Sequence, residues 1–161
     1  MQVKCLKWIP VIGLSCSVAL STAIAQETDH YTREALLEQA KPLRDKAAAA
    51  NGAAAETLQK YGVDYTMLSY RSKDGVPELH EKFADIFVVV DGSATLLTGG
   101  ELVDRTSIGP GEFHGASILA PATTSLAKGD IVHIPPNTPH QLLIPKDGTI
   151  TYFVVKVKEK D

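Results

Sequence analysis

Four side chains in this 161-residue chain could bind a metal together: Glu78, His80, Asp85 and His140. Glu78 and His80 are two residues apart, so in an extended chain they share a face. Asp85 precedes the apolar run Ile86-Phe87-Val88-Val89-Val90 and shares a strand face with Phe87 and Val89. A carboxylate at the head of an apolar stripe requires a partner or a metal if that stripe faces the interior. His140 heads the stripe His140, Leu142, Ile144 in the same way. Two neutral imidazoles and one carboxylate form the facial set used for non-haem iron(II), and zinc, manganese and nickel also accept mixed nitrogen and oxygen donors. Glu78 would make the set two histidines and two carboxylates. Each residue has a plainer alternative. His80 could be a surface residue beside Glu81 and Lys82, Asp85 an ordinary strand-edge charge, and His140 a cap on the turn Pro135-Pro136-Asn137.

The remaining histidines carry less. His133 lies in the apolar run Ile131–Ile134, where a packed histidine is the expectation rather than a ligand. His114, beside Glu112, falls in a segment that reads as a solvated loop, with closure over the pocket as the alternative. His30 has no argued role. Phosphate-loop, dinucleotide, nucleophile-elbow and zinc-finger spacings are all absent from the sequence.

The elements that must position these residues are short strands. From Val63 onward, β-rich runs alternate with turn chemistry: Tyr65–Arg71, Ala84–Val90, Ser93–Thr98, Ile131–Ile134, His140–Ile144 and Ile150–Val157. Between them lie Asp91-Gly92, Gly99-Gly100, Pro135-Pro136-Asn137 and Lys146-Asp147-Gly148. The segment between Gly92 and Gly129, rich in Gly, Pro, Ser and Thr from 106 to 125, reads as a long functional or disordered loop. Ahead of the strands, residues 32–60 read as helical, because Leu36, Leu37, Ala40, Leu43 and Ala47 recur at three- and four-residue steps. Thr32 is the candidate N-cap, and Pro42 is expected to kink the helix or open a second one.

Lys4 and Lys7 precede an apolar run from Trp8 to Leu20 and then Ala23-Ile24-Ala25, the pattern of a secretory signal cleaved before Gln26. Residues 1–25 are therefore expected to be a signal peptide, 26–62 a helical N-terminal extension and 63–161 a β-barrel. The expected location is periplasmic or extracellular, with no stable membrane anchor. Removing 1–25 takes away Cys5 and Cys16, so the exported domain would have neither a disulfide nor a thiolate ligand. Without Lys4 and Lys7, 14 basic residues face 19 acidic ones, a balance that disfavours nucleic acid and anionic membranes.

The stretch Glu78–Gly92 and the stretch Gly129–His140 together resemble the two motifs of the cupin family. With the closing Gly of the first motif at Gly92, its carboxylate falls at Asp85 and its second His at His80, while Glu78 stands where the first His would be and Ser72 where the opening Gly would be. In the second motif Gly129, Pro135 and His140 match, Asn137 replaces the middle Gly and Ile144 the closing Asn. The resemblance covers about residues 63–157. It implies an all-β double-stranded β-helix, or jelly-roll barrel, holding a divalent metal (Fe, Mn, Zn or Ni) on His80, Asp85 and His140, with Glu78 as a further ligand. It also implies a metal-dependent enzyme of dioxygenase or isomerase type on a small-molecule substrate. The alternative is a non-catalytic module that binds a small molecule, with Thr138, Gln141 and Tyr152 as polar contacts. A homodimer is an open expectation for the assembly.

Overall fold

Thr32 starts the regular structure. Its Oγ1 accepts a hydrogen bond from the Ala35 N–H at 3.1 Å, and Glu34 adds a favourable charge in the first turn of α1 (Arg33–Ala48). The computed structural model describes residues 28–159. The chain divides into two units, Met1–His30 and Tyr31–Asp161; of the first, only residues 28–30 are described, outside any helix or strand. The signal segment, its cleavage position and both cysteines lie outside the described residues.

The helix is shorter than its sequence suggests. It ends at Ala48, and Ala53–Tyr61 form β1, paired antiparallel with β2 (Asp64–Arg71) from Ala53↔Arg71 to Tyr61↔Asp64. Alanine propensity favours helix there, but the unpaired edge of β2 offers a whole ladder of backbone hydrogen bonds, and tertiary pairing wins. Gly52 makes the switch: its φ of +81° is open to glycine, and a Cβ would lie 2.6 Å from the Lys73 side chain. Pro42 does not break α1. It sits on the exposed face, where the missing N–H costs one hydrogen bond while Leu43 and Ala40, both fully buried, keep the helix docked.

After β2 come β3 (Glu78–His80), β4 (Phe83–Thr98), β5 (Glu101–Val103), β6 (Thr106–Gly109), β7 (Glu112–His114) and β8 (Ser117–Leu119). They are followed by β9 (Ala122–Ala127), β10 (Ile131–Ile134), β11 (His140–Leu143) and β12 (Ile150–Lys158). The main sheet runs β1-β2-β12-β4-β11-β3-β7-β6, with β9 and β10 also on β4, while β5 and β8 form a separate pair. The segment read as a long loop is thus largely β5 to β9. Its strands are three to six residues long, too short for alternation to give a signal there.

The two strands expected at 84–90 and 93–98 are one strand, β4, bent in the middle. Gly92 has φ +79°, and a Cβ there would come within 2.0 Å of the Thr149 carbonyl oxygen. Beside it, Val90 drops out of register with β12 between Thr151 and Tyr152, a β-bulge. The extra residue switches the inward face from Phe87 and Val89 to Ala94 and Leu96, all in the inner core with Leu142 and Val154. It also frees Val90 to join a second core on the outer face, where Leu36, Leu43 and Ala47 of α1 pack on Leu68 and Tyr70. The first half of β4 lies between β12 and β10, the second between β11 and β9, so the bend curls the sheet around the inner core. The compact unit from Tyr31 therefore includes α1 and β1 as well as the region from residue 63.

Candidate metal centre

Strand register brings the site residues together. His140 at the start of β11 lies directly opposite Glu78 of β3, and side chains opposite each other in an antiparallel pair project from the same face. His80 shares that face two residues on. Asp85 enters from β4, where it is opposite Lys156 of β12. The turn before β11 is tied to β3 as well: the Asn137 N–H donates to the His80 carbonyl at 2.8 Å. Asn137 has φ +59°, the left-handed conformation expected of a residue in the place of a glycine.

Glu78, His80 and His140 each offer one ligand atom, all within 4.8 Å of one another. His140 Nε2 is 3.3 Å from Glu78 Oε1, and Asp85 Oδ2 is 3.6 Å from His140 Nε2 and 3.5 Å from His80 Nε2. Donors bound at about 2.1 Å around one ion lie roughly 3.0 to 3.4 Å apart, so these spacings fit a metal with small adjustments. The side chains of Asp85 and His140 are each 2% exposed. Both oxygens of Asp85 are nevertheless engaged, by Lys156 Nζ at 2.6 and 2.7 Å.

The histidine rings are held from behind. His140 Nδ1 is 2.9 Å from the Thr138 carbonyl oxygen, and His80 Nδ1 is 2.5 Å from Glu112 Oε2. Acceptors at Nδ1 select the tautomer whose lone pair is on Nε2, the arrangement seen around ligating histidines. Both Nε2 atoms are buried and face the same point, with carboxylate oxygens of Glu78 and Asp85 at 3.3 to 3.6 Å and no well-formed hydrogen bond. Such incompletely satisfied atoms are costly unless something else satisfies them.

Electrostatics follow from this packing. Burial alone would raise the Glu78 pKa, but the hydrogen bond and charge of His140, then the charges of His80 and Lys156, hold it down at about 2. For His140, burial works against the charged form and is outweighed by Glu78, with help from the Thr138 carbonyl and Asp85, so its pKa lies above the usual value. Burial, then the charges of Glu112 and Asp85, push the Tyr65 phenol up.

Beside the cluster lies a cavity of about 140 Å³ lined by Arg71, Glu78, Asp85, Phe87, Tyr152 and Lys156, among others. Alternation along β12 puts Tyr152, Val154 and Lys156 on this inner face. Glu112 was visible only as a neighbour of His114; its pairing with His80 depends on the β3–β7 register. His114 is no loop residue: it is half-buried on β7, opposite Glu78, and outside the ligand cluster. His133 is exposed rather than packed, because Ile134 and not His133 takes the inward position on β10. Thr138 contributes its carbonyl, and Gln141 Nε2 donates to the Gly75 carbonyl at 2.8 Å.

No family model and no curated protein matches the chain. Solved structures do. The protein TT1209 from Thermus thermophilus is similar with a TM-score of 0.50 at 13% identity, over 68% of this chain and 87% of that one. A cupin-2 domain protein from Rhodospirillum rubrum gives 0.49 at 16%, over 68% and 62%. A cupin 2 conserved barrel domain protein from Rhodopseudomonas palustris gives 0.48 at 15%, over 67% and 63%. The chain thus spans a little under two thirds of those two cupin-2 chains, and identities this low speak to the fold alone. A bent central strand shared by two halves of a curled antiparallel sheet makes this domain a mostly β, curled half-barrel.

Proposed function

We propose that Glu78, His80 and His140 hold a divalent metal ion (iron, manganese, zinc or nickel), with Asp85 alongside as a fourth donor. In this reading the chain is an exported metal-dependent enzyme of oxygenase or isomerase type acting on a small molecule. The observation that carries it is the pair of buried, convergent Nε2 atoms, met by carboxylate oxygens at 3.3 to 3.6 Å, each on a ring whose Nδ1 is tied to an outward acceptor. Ligand histidines are built this way, whereas structural histidines satisfy both nitrogens.

When bound, such an ion supplies Lewis acidity and, if it is iron, one-electron chemistry. The protein's own residues do the rest. Glu78 remains ionised through the physiological range and adds negative charge beside the imidazoles. The Thr138 carbonyl and Glu112 fix the ring orientations, and Lys156 holds Asp85 in place. Phe87, edge-on to His140 with ring centroids 6.4 Å apart, forms an apolar wall that limits water. In the metal-free state His140 Nε2 holds a proton against Glu78, a proton that an ion bound by the same nitrogen would displace.

The test is elemental analysis of the purified exported domain after dialysis, followed by oxygen-uptake and isomerisation assays on small acids and sugars. One equivalent of metal with turnover supports the enzyme reading. Stoichiometric metal without any turnover supports the non-catalytic binding module, and absence of metal from wild-type protein reconstituted with each of the four ions overturns the proposal.

A further inference from the structure

Arg71 closes β2 with its guanidinium in the cavity beside the metal cluster. Its Nε donates to the Tyr152 hydroxyl at 3.2 Å. Among the described residues this is the guanidinium's only hydrogen bond, and no carboxylate lies within ion-pair distance of it, although the charge of Glu78 acts on it across the cavity they both line. Gly75 leaves room for it, since a Cβ at Gly75 would lie 3.3 Å from Cζ of Arg71 and 3.4 Å from Nη1. The Gly75 backbone is fastened in turn, by its N–H to the Leu142 carbonyl at 2.7 Å and its carbonyl to Gln141. The other cation of the cavity is committed: Lys156 is bound to Asp85.

A partly buried guanidinium with no anion in direct contact is incompletely compensated, and its planar fork matches a carboxylate in two-point geometry. Charge points the same way. Glu78, Asp85 and Glu112 set against Arg71 and Lys156 leave one net negative charge around neutral histidines, and a divalent ion would turn this into one net positive charge. A monoanion would then complete the site. The cavity is small: at roughly 30 Å³ per water-sized group, about 140 Å³ takes a molecule of about five non-hydrogen atoms.

We infer that Arg71 and Tyr152 form a carboxylate-binding subsite, and that the substrate of the proposed metal centre is a small monocarboxylate whose acid group is held there. This rests on the proposed metal reading for the substrate's role, but the subsite itself is present without metal. The carboxylate accepts from the guanidinium, beside the neutral Tyr152 hydroxyl, which is held by Arg71 Nε and Ser69. The substrate's other end then lies toward Glu78 and Asp85, which line the same cavity.

The test compares acetate, L-lactate and pyruvate with their uncharged amides by calorimetry, on the exported domain both metal-free and loaded with zinc. At least one acid is expected to bind about tenfold or more tightly than its amide in both forms. Arg71→Gln should bring that ratio close to one while still binding one equivalent of zinc. A wild-type protein that prefers no acid over its amide, or a preference that survives Arg71→Gln, overturns the subsite. Failure of the wild type to take up zinc overturns the metal reading instead, and the metal-free titrations still decide the subsite. If Arg71→Gln does not fold by circular dichroism, the Arg71 Nε–H resonance of the wild type decides: it should shift on titration with the preferred acid, and an unmoved resonance overturns the inference.

Discussion

Lys156 and Asp85 face each other directly across the β12–β4 pair, with the ammonium 2.6 Å from one carboxylate oxygen and 2.7 Å from the other. The pair neutralises a carboxylate that is 2% exposed and sits within 3.6 Å of both histidine Nε2 atoms. It therefore stands in balance with metal binding, since the ion and Lys156 compete for the same charge.

Lys156→Met leaves Asp85 buried and unpaired in metal-free protein. Breaking such a pair costs about 3 to 5 kcal/mol. Urea unfolding should show that loss without metal and a large recovery with zinc, and zinc should bind more tightly to the variant than to wild type. Equal stabilisation of both proteins by zinc would rule out competition for Asp85.

Glu78 and His140 should give metal-free stability a defined pH window. The Glu78 pKa is lowered from 4.5 to about 2, so its contribution is complete above about pH 4.5 and is lost as pH falls toward 2. The His140 pKa is raised from 6.5, so its contribution is complete below that value and is lost as pH rises through the higher folded value. The stability difference between wild type and Glu78→Gln should be largest between about pH 4.5 and 6.5. Zinc affinity should increase with pH through the titration of His140, with proton release measurable in buffers of different ionisation enthalpy.

Glu112→Ala removes the group that orients His80. Loss of such an outer partner lowers metal affinity by about 10- to 100-fold. Glu112→Gln keeps an acceptor and should fall between wild type and Glu112→Ala in a competition titration with a chromophoric chelator. Identical affinities for all three proteins would leave the 2.5 Å contact without a role in binding.

Leu43→Ala tests whether α1 is integral to the barrel. Leu43 is fully buried against the sheet, and truncating a buried leucine costs about 2 to 5 kcal/mol. A single cooperative unfolding transition shifted by that amount is expected. An unchanged transition would mean that the helix is a dispensable appendage.

Strand alternation marked Asp85 and His140 as the heads of apolar stripes, and the resemblance to the two cupin motifs singled out Glu78, His80, Asp85 and His140 together, because both depend on near neighbours in the chain. The structure brings all four to one point, with the left-handed Asn137 where the turn required it. The barrel region was legible for the same reason, through runs such as Ile131–Ile134 that reappear with identical ends.

Other features depended on partners distant in the chain. Whether Ala53–Tyr61 became helix or strand was decided by the free edge of β2, and the short β6 to β9 became strands by pairing rather than by pattern. The groups that act on the site were set the same way: Lys156 is 71 residues from Asp85, and Glu112 is 32 from His80. Spacing along the chain determined which side chains could be ligands. Cross-strand register alone decided which charges stand behind them, since a shift of one residue would turn Lys156 or Glu112 to the opposite face.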